Sequence, residues 1–235
     1  MINLIKNEFI KIRLSKIIFS QILLIITLLC IKRYGNKSIL ELSYNLIPIV
    51  SIIICILFGG IISNEIENGS FRYYLTKPYK RWKIYLSKMI TIIIYITINI
   101  LIITIVSSIL NHSFDYKYIL KFFIYSVPCY FIGFLILYLS LCFKNHAFSV
   151  GISIFIVTFS LIISQVFFGF KFNIIEYTFL PYLDFSIFND NSIDIMNKNL
   201  GTNLSLKKGI IIDVLSMFIL YFLGNKKFIK KDIKC

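Results

Sequence analysis

The side chains best suited to chemistry in this chain of 235 residues gather between Ser63 and Lys88, in the stretch SNEIENGSFRYYLTKPYKRWKIYLSK. Two carboxylates, Glu65 and Glu67, precede Gly69-Ser70. Six bases follow: Arg72, Lys77, Lys80, Arg81, Lys83 and Lys88. Charges in that density suit ion pairs and docking onto a charged partner. Bond-making would need other groups. The two histidines, His112 and His146, are far apart, and the five cysteines show no C-x-x-C or metal-ligand spacing. Neither a zinc-hydrolase helix, nor a nucleophile elbow, nor a phosphate-binding glycine loop can be found. We therefore expect no enzyme, no metal and no cofactor bound by this chain; any ATP used would be held by another one.

The elements that must position these charges are apolar. Hydrophobic residues make up 58% of the chain and charged residues 15%, with a mean hydropathy of +0.83. A soluble domain carries about a quarter charged residues. The apolar residues also come in blocks of about twenty, the length that crosses a hydrocarbon core as a helix. The expected fold class is an all-α integral membrane protein. The net charge of +14 would suit nucleic acid on a soluble domain, but here the lysines flank hydrophobic spans and set orientation instead. No nucleic-acid partner is expected.

Six spans are expected, at about 17–33, 44–62, 84–110, 118–143, 147–168 and 209–223, in one transmembrane domain covering 1–235. Residues 1–16 read as a basic interfacial helix, with Leu4, Ile5, Phe9 and Ile12 at helical spacing. Pro128 lies inside the fourth span, where neighbouring helices can satisfy the carbonyl it frees. With six spans both termini share a side. Sixteen of the 25 Lys and Arg then fall on the side of the termini and nine on the other, so both termini and the Ser63–Lys88 stretch are expected in the cytoplasm. The triplet Lys32, Arg33 and Lys37 runs against this and is outweighed. His112 and His146 would lie on opposite faces.

Within the spans ionisable groups are expected to be almost absent, Asp213 being the exception. It reads as a boundary residue, solvated or paired with Lys207 or Lys208, ahead of a proton relay. Gln21, Asn99 and Gln165 either hydrogen-bond between helices or line a pathway. Residues 169–208 are too polar to span and too apolar to float. A re-entrant or interfacial outer segment is expected there, with Tyr177, Phe179, Pro181, Tyr182 and Phe185 either a plain amphipathic loop or an outer gate.

In the Ser63–Lys88 stretch, residues 64–83 form the cytoplasmic segment proper. Ser70 can cap a short helix with Phe71, Tyr74 and Leu75 on one face. Pro78 then forces a corner and suits the start of the next helix. Orientation alone would account for the bases and aromatics, but poorly for Glu65 and Glu67 at the membrane exit.

The order Glu65-x-Glu67-x-Gly69-Ser70-x-Arg72, then Leu75-Thr76-Lys77-Pro78-x-x-Arg81 and Ser87-Lys88, resembles the segment between spans two and three of ABC-2 type transporter permeases. The opening NEFIKIRLSK is similar to the short permeases of the bacitracin-resistance and lantibiotic-immunity branch. The layout matches along the whole chain, the specific motif over some 25 residues. The resemblance implies a permease subunit of an ATP-driven exporter in a bacterial plasma membrane. Two halves, identical or paralogous, would pair in the bilayer with two copies of a separate ABC ATPase, which holds ATP and Mg. Glu65, Glu67, Gly69, Ser70, Arg72, Pro78 and Arg81 would form the coupling segment that docks on it. The implied cargo is an amphiphilic peptide antibiotic or a similar compound. A membrane-embedded interaction or sensor protein, holding a partner through the same loop without transport, is the alternative.

Overall fold

The computed structural model describes residues 1–12, 14–34, 43–70, 80–111, 116–170, 172–188, 194, 197–198 and 201–230. Among them there are helices and no β-strand. Arg72, Pro78 and His112 lie outside the described residues, as does the helix expected after Ser70.

The helices are α1 (Ile2–Lys11), α2 (Leu14–Tyr34), α3 (Ile47–Phe58), α4 (Ser63–Glu67), α5 (Arg81–Leu110), α6 (Tyr116–Tyr125), α7 (Val127–Cys142), α8 (His146–Gly169) and α9 (Leu206–Lys230). A 3-10 turn, Tyr44–Leu46, leads into α3, whose first turn takes Pro48. Three more 3-10 turns, Asn173–Tyr177, Leu180–Tyr182 and Phe185–Phe188, occupy the stretch before α9. Among the described residues four segments are long and apolar enough to cross a membrane: Tyr44–Glu67, Arg81–Leu110, Tyr116–Cys142 and His146–Gly169. The pair Ile2–Lys11 and Ser15–Cys30, meeting at 73°, makes a fifth if taken as one. This is the architecture of a membrane-embedded helical protein. α9 is also long, but lysines at both ends and Asp213 within confine its apolar run to 209–223.

The expected fourth span, seen as Tyr116–Cys142, carries one irregular turn at Ser126, between α6 and α7, with Pro128 in the first turn of α7. Lacking an N–H, proline cannot donate back to the α6 carbonyls, so the helix restarts there. α7 is the hub of the bundle and packs against α3, α5, α6, α8 and α9. Phe131, Ile132, Ile136 and Leu137 on it are fully buried. α8 turns the pattern of a soluble helix inside out. Ser149, Ser153, Ser160 and Ser164 face the bundle, while Phe148, Phe155, Phe159, Ile162 and Val166 face outward. In lipid there is no gain from burying leucine against leucine, so small residues take the contact and apolar ones meet the acyl chains.

Polar side chains bind helix to helix within this apolar frame. Gln21 Nε2 donates to Asn99 Oδ1 at 2.9 Å, joining α2 to α5. Ser20 and the Tyr95 hydroxyl lie 2.7 Å apart beside them. Near the other end the Tyr118 hydroxyl sits 2.8 Å from both Ser43 and Ser107. Gln21 and Asn99 thus bond α2 to α5, while Gln165 is exposed on α8.

Candidate functional site at the basic end of the bundle

One end of the bundle collects α1, α4, the start of α5, the 143–145 turn and the end of α9. Its centre is a group of four charges. Lys88, two turns into α5, is completely buried and donates to Glu8 Oε2 at 2.9 Å and to Glu65 Oε1 at 2.7 Å. Lys11, still partly exposed, donates to Glu8 Oε1 at 2.9 Å and to the same Glu65 oxygen at 2.7 Å. Two carboxylates and two ammonium groups thus form a closed ring that ties α1 to α4 and α5.

Each member is placed by its helix. In α1 the inward stripe is Leu4, Glu8 and Ile12, at i, i+4 and i+8, so Glu8 occupies a position that the amphipathic pattern reserves for an apolar residue. Burial alone would raise the Glu8 carboxyl; the ammonium groups of Lys88 and Lys11 outweigh it and hold its pKa below the ordinary 4.5. Glu65 is on the short helix α4, 7% exposed, and its second oxygen, Oε2, is buried with no hydrogen-bond partner. The spans were expected to hold almost no charge apart from Asp213. Lys88 corrects that: it lies inside the third span, where the carboxylates of Glu8 and Glu65 both reach it.

The other described residues expected to take part in coupling are arranged around this ring. Glu67 is exposed and its Oε2 accepts from the backbone N–H of His146 at 3.0 Å, at the start of α8 where a negative charge is favoured. Gly69 has φ 71°, a left-handed conformation that turns the chain after α4 and suits glycine. The Ser70 hydroxyl donates back to the Glu65 carbonyl at 3.3 Å. Arg81 opens α5 and donates to the Ile229 carbonyl at 2.7 Å, tying the end of α9 to the same place. Phe228 packs at a tilt against Tyr85 with ring centroids 5.6 Å apart. Of the expected coupling residues, Glu65, Glu67, Gly69, Ser70 and Arg81 therefore meet at one end. Glu65 faces the bundle and Glu67 the surface.

Sequence reasoning quoted Lys88 in the motif without giving it a role, and passed over Glu8, Lys11 and Gly60. A Cβ on Gly60 would run into the His146 imidazole, whose Cγ would be 2.8 Å away and two other ring atoms closer. Gly60→Ala is expected to push the start of α8 off α3 at a cost of about 1–3 kcal/mol. A thermal melt of the detergent-solubilised protein should show a lowered midpoint, whereas Gly151→Ala, whose Cβ would meet open space, should not.

At the opposite end, the stretch before α9 packs inward. Phe179 lies 5.1 Å from the Phe131 ring on α7. Pro181, Tyr182 and Phe185 are buried, and Tyr177 is 72% exposed. The Tyr182 and Phe185 rings rest on Gly209, at the start of α9. Burial first, then the nearby Glu176 and Asp213 carboxylates, push the Tyr182 phenol up to about 12. Asp213 corrects a second expectation. It is fully buried, neither solvated nor paired with Lys207 or Lys208, and both its oxygens lack partners. Lys208 instead approaches Glu176 at 4.0 Å and donates to the Asn203 carbonyl.

A family model described as a protein of unknown function (DUF2705) matches residues 30–234. The chain belongs to the DUF2705 family. No curated protein matches it. The matched region includes Glu65, Glu67 and Lys88 and begins beyond Glu8 and Lys11, so the DUF2705 region supplies half of the charge ring and the lead-in helix the other half. Among the described residues no group of three His, Cys, Asp or Glu could hold a metal ion.

Proposed function

We propose that this DUF2705 protein is the transmembrane subunit of an ATP-driven exporter of the ABC-2 type, pairing with a second permease half and coupled to a separate ATPase. Six spans, with α2 and α9 as the first and last, would place both termini and the charge ring in the cytoplasm of a bacterial cell, by the excess of lysine and arginine on that side. The observation that carries the reading is the bracing of the motif-bearing segment. Glu65, inside the pattern that resembles a coupling segment, is bonded to Lys88 of α5 and Lys11 of α1. A force applied to the exposed tip at Glu67–Gly69 would reach a spanning helix and the interfacial helix together. Such a rigid link lets a partner's closure move spans between two arrangements. The cargo would be an amphiphilic peptide or similar compound, and the stretch before α9 an outer gate.

Glu67 makes the clean test, because it is exposed and outside the ring. The chain is co-purified with its candidate ATPase, reconstituted, and ATP turnover is measured. Glu67→Lys is expected to lower stimulated turnover about tenfold, within the usual range of coupling between linked sites. Glu67→Gln, which can still accept from His146, should fall less. A complex whose ATP turnover never responds to the permease would sink the exporter reading and favour a membrane-embedded sensor.

A further inference from the structure

Two cavities at the basic end run into each other. The smaller, about 150 Å³, has polar walls that include Lys11, Lys16, Asn64, Glu65 and His146. The larger, about 510 Å³, is a cleft between α2 and α3 with Phe19, Leu23 and Ile53 among its walls. Lys16, Ile56 and Leu57 line both, so polar chamber and apolar cleft are one continuous groove. Phe19 is 69% and Ile56 55% exposed, which opens the cleft sideways, toward where acyl chains would lie.

The charges say what sort of molecule fits. Glu8 and Glu65 are offset within their ring by Lys11 and Lys88. Lys16 forms no ion pair among the described residues, and it stands where the polar chamber becomes the apolar cleft. That leaves one surplus positive charge at the junction. The second polar feature is Glu65 Oε2, a buried acceptor without a donor on a residue that lines the chamber. A buried acceptor left unmatched costs about 1–3 kcal/mol, and a ligand hydroxyl would remove that cost. A soluble phosphate would use Lys16 and leave the cleft empty. A purely apolar ligand would fill the cleft and ignore Lys16 and Glu65. A mostly apolar cavity with a few placed polar groups, one cationic and one accepting, matches an amphiphile.

We infer that this groove binds one anionic phospholipid with a hydroxylated headgroup, of the phosphatidylglycerol type, from the leaflet at the basic end. Its phosphate lies by Lys16, a headgroup hydroxyl donates to Glu65 Oε2, and an acyl chain runs along the cleft between α2 and α3. The lipid then touches α1, α2, α3 and α4 at once and seals the charge ring from water on its open side.

The full-length chain, purified in mild detergent, is titrated with phosphatidylglycerol, phosphatidic acid, phosphatidylcholine and inorganic phosphate, and bound lipid is counted by native mass spectrometry. One phosphatidylglycerol per chain is expected, bound more tightly than phosphatidic acid, which lacks the headgroup hydroxyls, and than phosphatidylcholine. Lys16→Gln should weaken it about fivefold, the usual worth of one basic side chain at an anionic surface. Ile53→Trp, which fills the cleft, should abolish retention. Equal retention of phosphatidylglycerol and phosphatidylcholine, unaltered by Lys16→Gln, overturns the proposal; that variant is on the surface and does not threaten folding. Displacement of the lipid by inorganic phosphate alone also overturns it. So does an Ile53→Trp variant that keeps its lipid but loses a chain–chain association, since the cleft would then belong to a second copy.

Discussion

Lys88→Met is expected to destabilise the protein by about 3–5 kcal/mol, the usual effect of removing one partner of a buried ion pair. Methionine fills much the same space, so the loss is electrostatic. It leaves Glu8 and Glu65 facing each other across a site from which water is largely excluded, with Lys11 alone to balance them. The check is a denaturant or thermal titration in detergent, compared with the triple variant Glu8→Gln, Glu65→Gln and Lys88→Met. Removing both carboxylates along with the ammonium should restore most of the stability, because a buried charge cluster replaced whole by neutral groups is often nearly neutral in free energy. If the single variant melts like the parent, the ring does not hold α1 to α5.

The same ring sets an acid limit. The folded pKa of Glu8 lies below its ordinary value of 4.5, so the unfolded chain takes up protons at a higher pH than the folded one. The stability Glu8 contributes is therefore fully present above about pH 4.5 and is lost as pH falls through the lower folded value. In Lys88→Met the sign reverses: with its chief cation gone, burial dominates, and mild acid should partly rescue the variant.

What could be read from the sequence, and what could not, divides along distance in the chain. Apolar length is a local property, so four or five of the six expected spans were legible, whereas Pro128 was read inside a continuous fourth span without the turn at Ser126 that precedes it. The charge ring was not legible as a whole. Glu8 gave a local sign, an acid at the position between Leu4 and Ile12 where the pattern calls for an apolar residue. Lys88 gave another, a charge inside a spanning block. Nothing in their spacing says that the two meet, since 80 positions separate them and only the packing of α1 on α5 brings them together. Gly60 and His146 are a similar case. Asp213 misled for the opposite reason. Its lysine neighbours in the sequence suggested pairing, but on α9 it lies one turn past Gly209, on the flank that Tyr182 and Phe185 cover. Arg81 was marked by its motif, but nothing local to it says that the end of α9 supplies a carbonyl for it.

Phe185→Ala is expected to cost about 3–5 kcal/mol, the range for truncating a fully buried phenylalanine. The Phe185 side chain is enclosed on several sides: its ring lies over Gly209, where a Cβ would come within 2.9 Å, and edge-on to Phe188 at 5.6 Å between centroids. Among its described residues the stretch before α9 is built of short 3-10 turns, so such side-chain anchors carry much of its order. Tyr182 separates packing from polarity. Its ring shares the Gly209 surface, but its buried hydroxyl has no hydrogen-bond partner. Tyr182→Phe should therefore leave the melting midpoint unchanged or raise it, while Tyr182→Ala should lower it as Phe185→Ala does. Tyr177→Ala, at an exposed ring, is the reference for a change without packing loss. Should Phe185→Ala shift the midpoint no more than Tyr177→Ala, the segment would not be anchored on α9.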